Sequence, residues 1–126
     1  MFRMTKAFSG FSVDDVEIAM KFYGETLGLE VSEENGILTL QIAETNGIII
    51  YGKGADHSAA SFTILNFPVD DVESAVDELA KLGIEFEHYR GTEMETDEKG
   101  VFRGGGPLIA WFKDPAGNVL SVIQAE

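Results

Sequence analysis

The chain has 126 residues, 44% of them apolar, which is enough for one ordinary core and gives no call for a second independent domain. Its 22 acidic against 9 basic residues leave a net charge of −13, which argues against nucleic acid or an anionic membrane surface as a partner. With no cysteine there are no disulfides, no thiolate metal sites and no cysteine nucleophile.

Ala7 to Phe11 alternates apolar and polar residues, as a short first strand does. It runs into Phe11-Ser12-Val13-Asp14-Asp15-Val16-Glu17-Ile18-Ala19, which returns half a chain later as Phe67-Pro68-Val69-Asp70-Asp71-Val72-Glu73-Ser74-Ala75. In each copy an Asp followed three residues later by Glu predicts a capping box at a helix start. Repetition at this spacing means one unit used twice. In the first copy Val16, Ala19, Met20, Tyr23 and Leu27 line one helix face, and Gly28 ends it. Strands are expected at Leu29–Val31, Ile37–Ile42 and Gly47–Tyr51, with Asn35-Gly36 as a hairpin turn.

Residues 53–60 are small and polar, and they read as a linker between module 1–52 and module 61–126 of one domain. The pattern then restarts. Ser61–Phe67 predicts a strand, Val72, Ala75, Val76, Leu79 and Leu82 a helix face, Gly83 its end, and Ile84–Tyr89 a half-buried strand. Gly91–Pro107 is acidic and glycine-rich, and it exceeds the roughly 12–15 residues usual for a structureless connection. It is expected to be a binding loop, a lid or mobile. Leu108–Phe112 and Val119–Ile123 complete the pattern around the turn Asp114-Pro115-Ala116-Gly117-Asn118.

Two βαβββ modules, the repeated Val-Asp-Asp-Val-Glu start, the run Phe22-Tyr23-Gly24-Glu25-Thr26-Leu27-Gly28 and the Asp114–Asn118 turn resemble the vicinal oxygen chelate superfamily. That group contains glyoxalase I, extradiol dioxygenases, fosfomycin-resistance enzymes and bleomycin-resistance proteins. The resemblance implies an α+β fold whose eight strands form an open, cleft-bearing, barrel-like sheet, commonly completed by a second subunit. It also implies a divalent metal held by His, Glu or Gln on four strands. Here those positions fall on Phe8, Ile64 and Ser121, with the fourth somewhere in Ile48–Tyr51, a run without His, Glu or Asp. Such side chains cannot hold a hard divalent ion, so neither a metal nor any other cofactor is expected.

His57 reads as a solvated linker residue and His88, in phase with Ile84 and Phe86, as a wall histidine or the one candidate general base. The acidic run Glu93, Glu95, Asp97 and Glu98 is expected to be a solvated loop, and Arg103 a loop charge or an anion clamp. If Lys113 pairs with Val119, Trp111 stands opposite Ser121 on one sheet face. Phe8, Tyr51, Phe62, Ile64 and Trp111, with His88 and the polar Asn66 and Ser121, then form the candidate ligand-binding set.

The expected function is metal-independent binding or sequestration of a small hydrophobic or cationic organic molecule, in the manner of the bleomycin-resistance proteins. The alternative is a glyoxalase-related lyase, isomerase or dioxygenase that uses His88 and Gln124 as unusual ligands, or His88 as a metal-free base. A third is a structural module whose own side chains fill the cleft. No apolar run approaches the ~20 residues that span a bilayer, and Met1–Lys6 lacks a signal-peptide core, so a cytoplasmic protein is expected, and the resemblance implies a homodimer.

Overall fold

The structure, a computed structural model, describes residues 1–126. The chain divides into two compact units, Met1–Ala59 and Ala60–Glu126. The eight strands form two four-stranded mixed sheets with helices, an α+β fold and not a closed barrel.

In the first unit β1 (Ser9–Val13) is followed by α1 (Val16–Lys21), β2 (Glu30–Glu34), β3 (Ile37–Gln41) and β4 (Ile48–Gly52). The spatial order is β1-β4-β3-β2, with β1 and β4 parallel and the other pairs antiparallel. The first strand lies two residues later than the expected Ala7–Phe11, because its ladder with β4 continues to Val13 opposite Gly52. Helix α1 is also shorter than expected. At Phe22–Thr26 it widens into a π-helical turn, closed by Leu27 N–H donating to the Phe22 carbonyl at 2.9 Å. Tyr23 in that turn is fully buried, its ring against Phe11 and Phe22. With Val13, Ala19, Leu38, Leu40 and Ile50 it makes the core of this unit.

The second unit repeats the order: β5 (Thr63–Val69), α2 (Val72–Lys81), β6 (Val101–Phe102), β7 (Ile109–Lys113) and β8 (Val119–Gln124), arranged β5-β8-β7-β6. Its core contains Val72, Val76, Val101, Ala110, Phe112, Leu120 and Val122. Leu82, expected on the buried helix face, is 57% exposed because α2 has already ended at Lys81. The Asp114 carboxylate accepts from the backbone N–H groups of Ala116 and Asn118 and from the Asn118 side-chain amide, which fixes the turn into β8.

Both helix starts are capped one residue later than the sequence spacing suggests. Asp15 accepts from the N–H groups of Glu17 and Ile18, and Asp71 from that of Ser74. The backbone and side-chain bonds from Ser74 hold the Asp71 carboxyl below its ordinary value of 3.8. The Glu of the expected capping box does other work in the second copy, where Glu73 pairs with Arg103. Gln124 also serves this helix start: its carbonyl accepts from Val72 N–H and its amide donates to the Asp70 carbonyl.

The largest departure from the repeat is at the outer edge of the second sheet. Ile84–Tyr89 is not a strand, and its backbone meets the sheet at the bridge between Phe86 and Phe112. Tyr89 has φ of 49° and its carbonyl accepts from Thr92 N–H, so the chain turns away before a ladder can extend. The edge position goes instead to β6, inside the segment expected to be a binding loop, a lid or mobile. No helix is long and apolar enough to cross a membrane.

Candidate functional site

Successive strand residues point to opposite sheet faces, so β7 presents Ala110 and Phe112 to one side and Trp111 to the other. The Phe112 side carries Phe86, ring centroids 5.6 Å apart, and the buried core. On the Trp111 side the register is the one expected, Trp111 opposite Ser121 and Lys113 opposite Val119. Asn66 stands beside Ser121 in the parallel β5–β8 ladder, and the fully buried Ser121 hydroxyl donates to the Asn66 side-chain carbonyl at 2.5 Å. Trp111 Nε1 donates to the Thr63 hydroxyl at 3.1 Å.

Thr63 reaches this face through an irregularity in β5. The register shifts between Thr63 and Leu65, which leaves Ile64 as the extra residue without a partner and sets Thr63 opposite Val119. Strict alternation points to Ile64, and no local residue marks the bulge. Tyr89 and Phe102 complete an aromatic cluster, their ring centroids 5.5 and 5.8 Å from that of Trp111. Burial, and then the charge of Glu87, push the Tyr89 hydroxyl above its ordinary value of 10.0, so it stays a protonated donor at neutral pH. Phe62, just before β5, is 70% exposed.

Two of the expected binding residues belong to the first unit. Phe8 precedes β1 and is 63% exposed, while Tyr51 lies in β4 opposite Ser12 and is 40% exposed. His57 is not the solvated residue expected, because its Nδ1 bonds the Ser12 hydroxyl at 2.8 Å and ties residues after β4 back to β1.

His88 parts company with the rest of the expected set. It keeps phase with Ile84 and Phe86, but these residues line a groove of about 450 Å³ against α2, on the Phe112 side of β7 and away from Trp111 and Ser121. Its Nδ1 lies 3.1 Å from the Asp97 carbonyl, which can only accept, so Nδ1 carries the proton and neutral His88 leaves Nε2 as an acceptor.

The segment after His88 is organised rather than loose. Asp97 accepts from the backbone N–H groups of Lys99 and Val101 and from Arg103 Nε at 2.9 Å. Burial opposes ionisation of this carboxyl, but the Val101 N–H, the Arg103 side chain and the Lys99 N–H outweigh it and hold it below the ordinary 3.8. Arg103 is no anion clamp: it spans Asp97 and Glu73, and these bonds raise its own value.

The positions that the family resemblance assigns to metal ligands do not fit a divalent ion. Phe8 and Ile64 offer no donor atom, and the Ser121 hydroxyl is neutral and bonded to Asn66. In β4 only Tyr51 carries a side-chain oxygen. Nowhere are three His, Asp or Glu residues grouped so that they could hold a metal.

Two curated relatives are named as probable lactoylglutathione lyases. One, the chloroplastic protein of Arabidopsis thaliana, is 28% identical over 123 residues that cover 90% of this chain and 34% of the relative, so the chain spans about a third of that protein. The other, from Vibrio parahaemolyticus serotype O3:K6, is 27% identical over 125 residues, 89% of this chain and 84% of the relative. Among solved structures, TnmS3, an antibiotic binding protein from Streptomyces sp. CB03234, superposes with a TM-score of 0.70 at 20% identity, over 100% of this chain and 99% of that one. Residues 7–122 match the sequence pattern of a single family across both units. With the duplicated strand order, that match identifies the chain as a member of the Glyoxalase/Bleomycin resistance protein/Dioxygenase superfamily.

Proposed function

We propose that this protein binds a small hydrophobic or cationic organic molecule without a metal, through the Trp111 face of the second unit. The observation that supports this most is the Ser121–Asn66 pair. A neutral, internally bonded hydroxyl stands where the resemblance puts a metal-holding carboxylate, beside the Tyr89, Trp111 and Phe102 rings. Aromatic faces hold planar or cationic groups, and Thr63 and Asn66 supply polar contacts that fix orientation. The exposed ring of Phe62 is further apolar surface for such a ligand, with Ile64 at the β5 bulge. In this reading the working form is a homodimer, as the resemblance implies, located in the cytoplasm.

Trp111 is the only tryptophan, so its fluorescence reports on the site directly. The chain is incubated with Zn²⁺, Ni²⁺, Mn²⁺ and Fe²⁺, dialysed and analysed for metal, then titrated with aromatic and cationic compounds. The expected result is no stoichiometric metal and a saturable change in Trp111 emission that weakens in Asn66→Ala. Stoichiometric metal, or conversion of a bound compound, overturns the reading.

The names of the two curated relatives favour a second reading, a lyase. His88 is its candidate base, whereas Gln124 is already bonded at the start of α2. Lactoylglutathione turnover that is lost in His88→Ala would establish it.

A further inference from the structure

We propose that the groove between α2 and residues 84–99 is a separate binding site for a small organic cation, a protonated amine on an apolar body. Its floor is apolar, made by Val76 and Ala80 of α2 with Ile84 and Phe86. At about 450 Å³ it has the size of a small-molecule site. Around that floor the polar groups are almost all acceptors. Glu85 and Glu98 line the groove and neither forms an ion pair. The Asp97 carbonyl fixes the proton of His88 on Nδ1, so neutral His88 is an acceptor at Nε2. The one cation in the wall, Lys99, is already held by Asp77 at 3.0 Å.

An apolar floor ringed by unpaired carboxylates and an imidazole acceptor is complementary to a group that is positively charged, donates hydrogen bonds and carries hydrocarbon. A carboxylate or phosphate ligand meets like charge there, and the net charge of −13 adds to that repulsion. This site shares no residue with the Trp111 face and stands whether or not that face binds anything.

The test is an amide-resolved NMR titration of the ¹⁵N-labelled full chain with 2-phenylethylammonium, and with 2-phenylethanol and phenylacetate as neutral and anionic controls. The expected result is saturable shifts at Ala80, Ile84, Phe86 and Glu98 for the cation, at least tenfold weaker for either control. Glu85→Gln combined with Glu98→Gln weakens cation binding at least tenfold, Ala80→Trp abolishes it by filling the groove, and Asn66→Ala leaves it unchanged. Absence of saturable shifts at these amides overturns the proposal, as do equal responses to phenylacetate or shifts confined to Thr63, Asn66 and Trp111. The last result would still support the reading of the Trp111 face.

Discussion

In the first unit the chain leaves its helix through Gly28 and enters β2, a five-residue strand joined to β3 by the tight Asn35-Gly36 turn. In the second unit the corresponding path wanders from Ile84 to Gly100 before contributing only Val101 and Phe102 to the sheet. The two sheets share one order of strands, so the contrast isolates what a missing edge strand costs and allows. The cost is backbone groups without a ladder, which Asp97 and Thr96 satisfy by side-chain bonds. What it allows is side-chain variety. The wandering segment brings Tyr89 to one side of β7 and His88 with Glu98 to the other, where the regular hairpin of the first unit offers mainly Ser and Glu.

The strongest way to break the comparison is through the residue that holds the irregular segment to the sheet. Phe112 is 1% exposed and meets the Phe86 ring. Phe112→Ala is expected to cost about 3–5 kcal/mol in urea unfolding, with the amides of residues 84–100 losing hydrogen-exchange protection first. A loss below about 1 kcal/mol would mean that the segment is held by its own bonds and not by the core.

A sharper contrast comes from two glycines, one in each edge region, both with positive φ: Gly36 at 81° and Gly100 at 97°. A Cβ on Gly36 meets nothing within 4 Å, whereas one on Gly100 lies 2.6 Å from Phe86 Cβ. Gly36→Ala therefore carries only the left-handed backbone penalty of about 1 kcal/mol. Gly100→Ala adds a collision with the base of the Phe86 side chain and is expected to cost about 2–3 kcal/mol in the same unfolding measurement. Equal effects would show that Phe86 yields easily.

The smallest effect is electrostatic and belongs to the second unit alone. The folded-state value of Asp97 lies below 3.8, so its ionised form stabilises the fold. That contribution is complete above the ordinary value and is lost as pH falls through the lowered one. Denaturation of the wild type and Asp97→Asn at pH 6 and pH 3 should show a stability gap that narrows at the lower pH. A gap that stays constant would mean that Asp97 acts only through hydrogen bonds its amide replacement can keep.

Much of this architecture is written in short stretches of sequence. The duplicated helix start, the Asn35-Gly36 and Asp114–Asn118 turns and the alternation that sets Trp111 opposite Ser121 all depend on neighbours a few residues apart, so they can be read without a structure. That Phe8 and Ile64 carry no donor atom is legible for the same reason, since residue type alone says which atoms are present. Tertiary structure decided the rest. The bulge that exchanges Ile64 for Thr63 arises from pairing with β8, more than fifty residues away, and the side of β7 that His88 occupies depends on where Tyr89 turns. The use of Asp97 as the anchor of an edge strand, and of Gln124 as a support for α2, also requires partners that only the folded chain brings together. Local pattern fixes which face a residue takes within its own strand, while long-range packing fixes what that face meets.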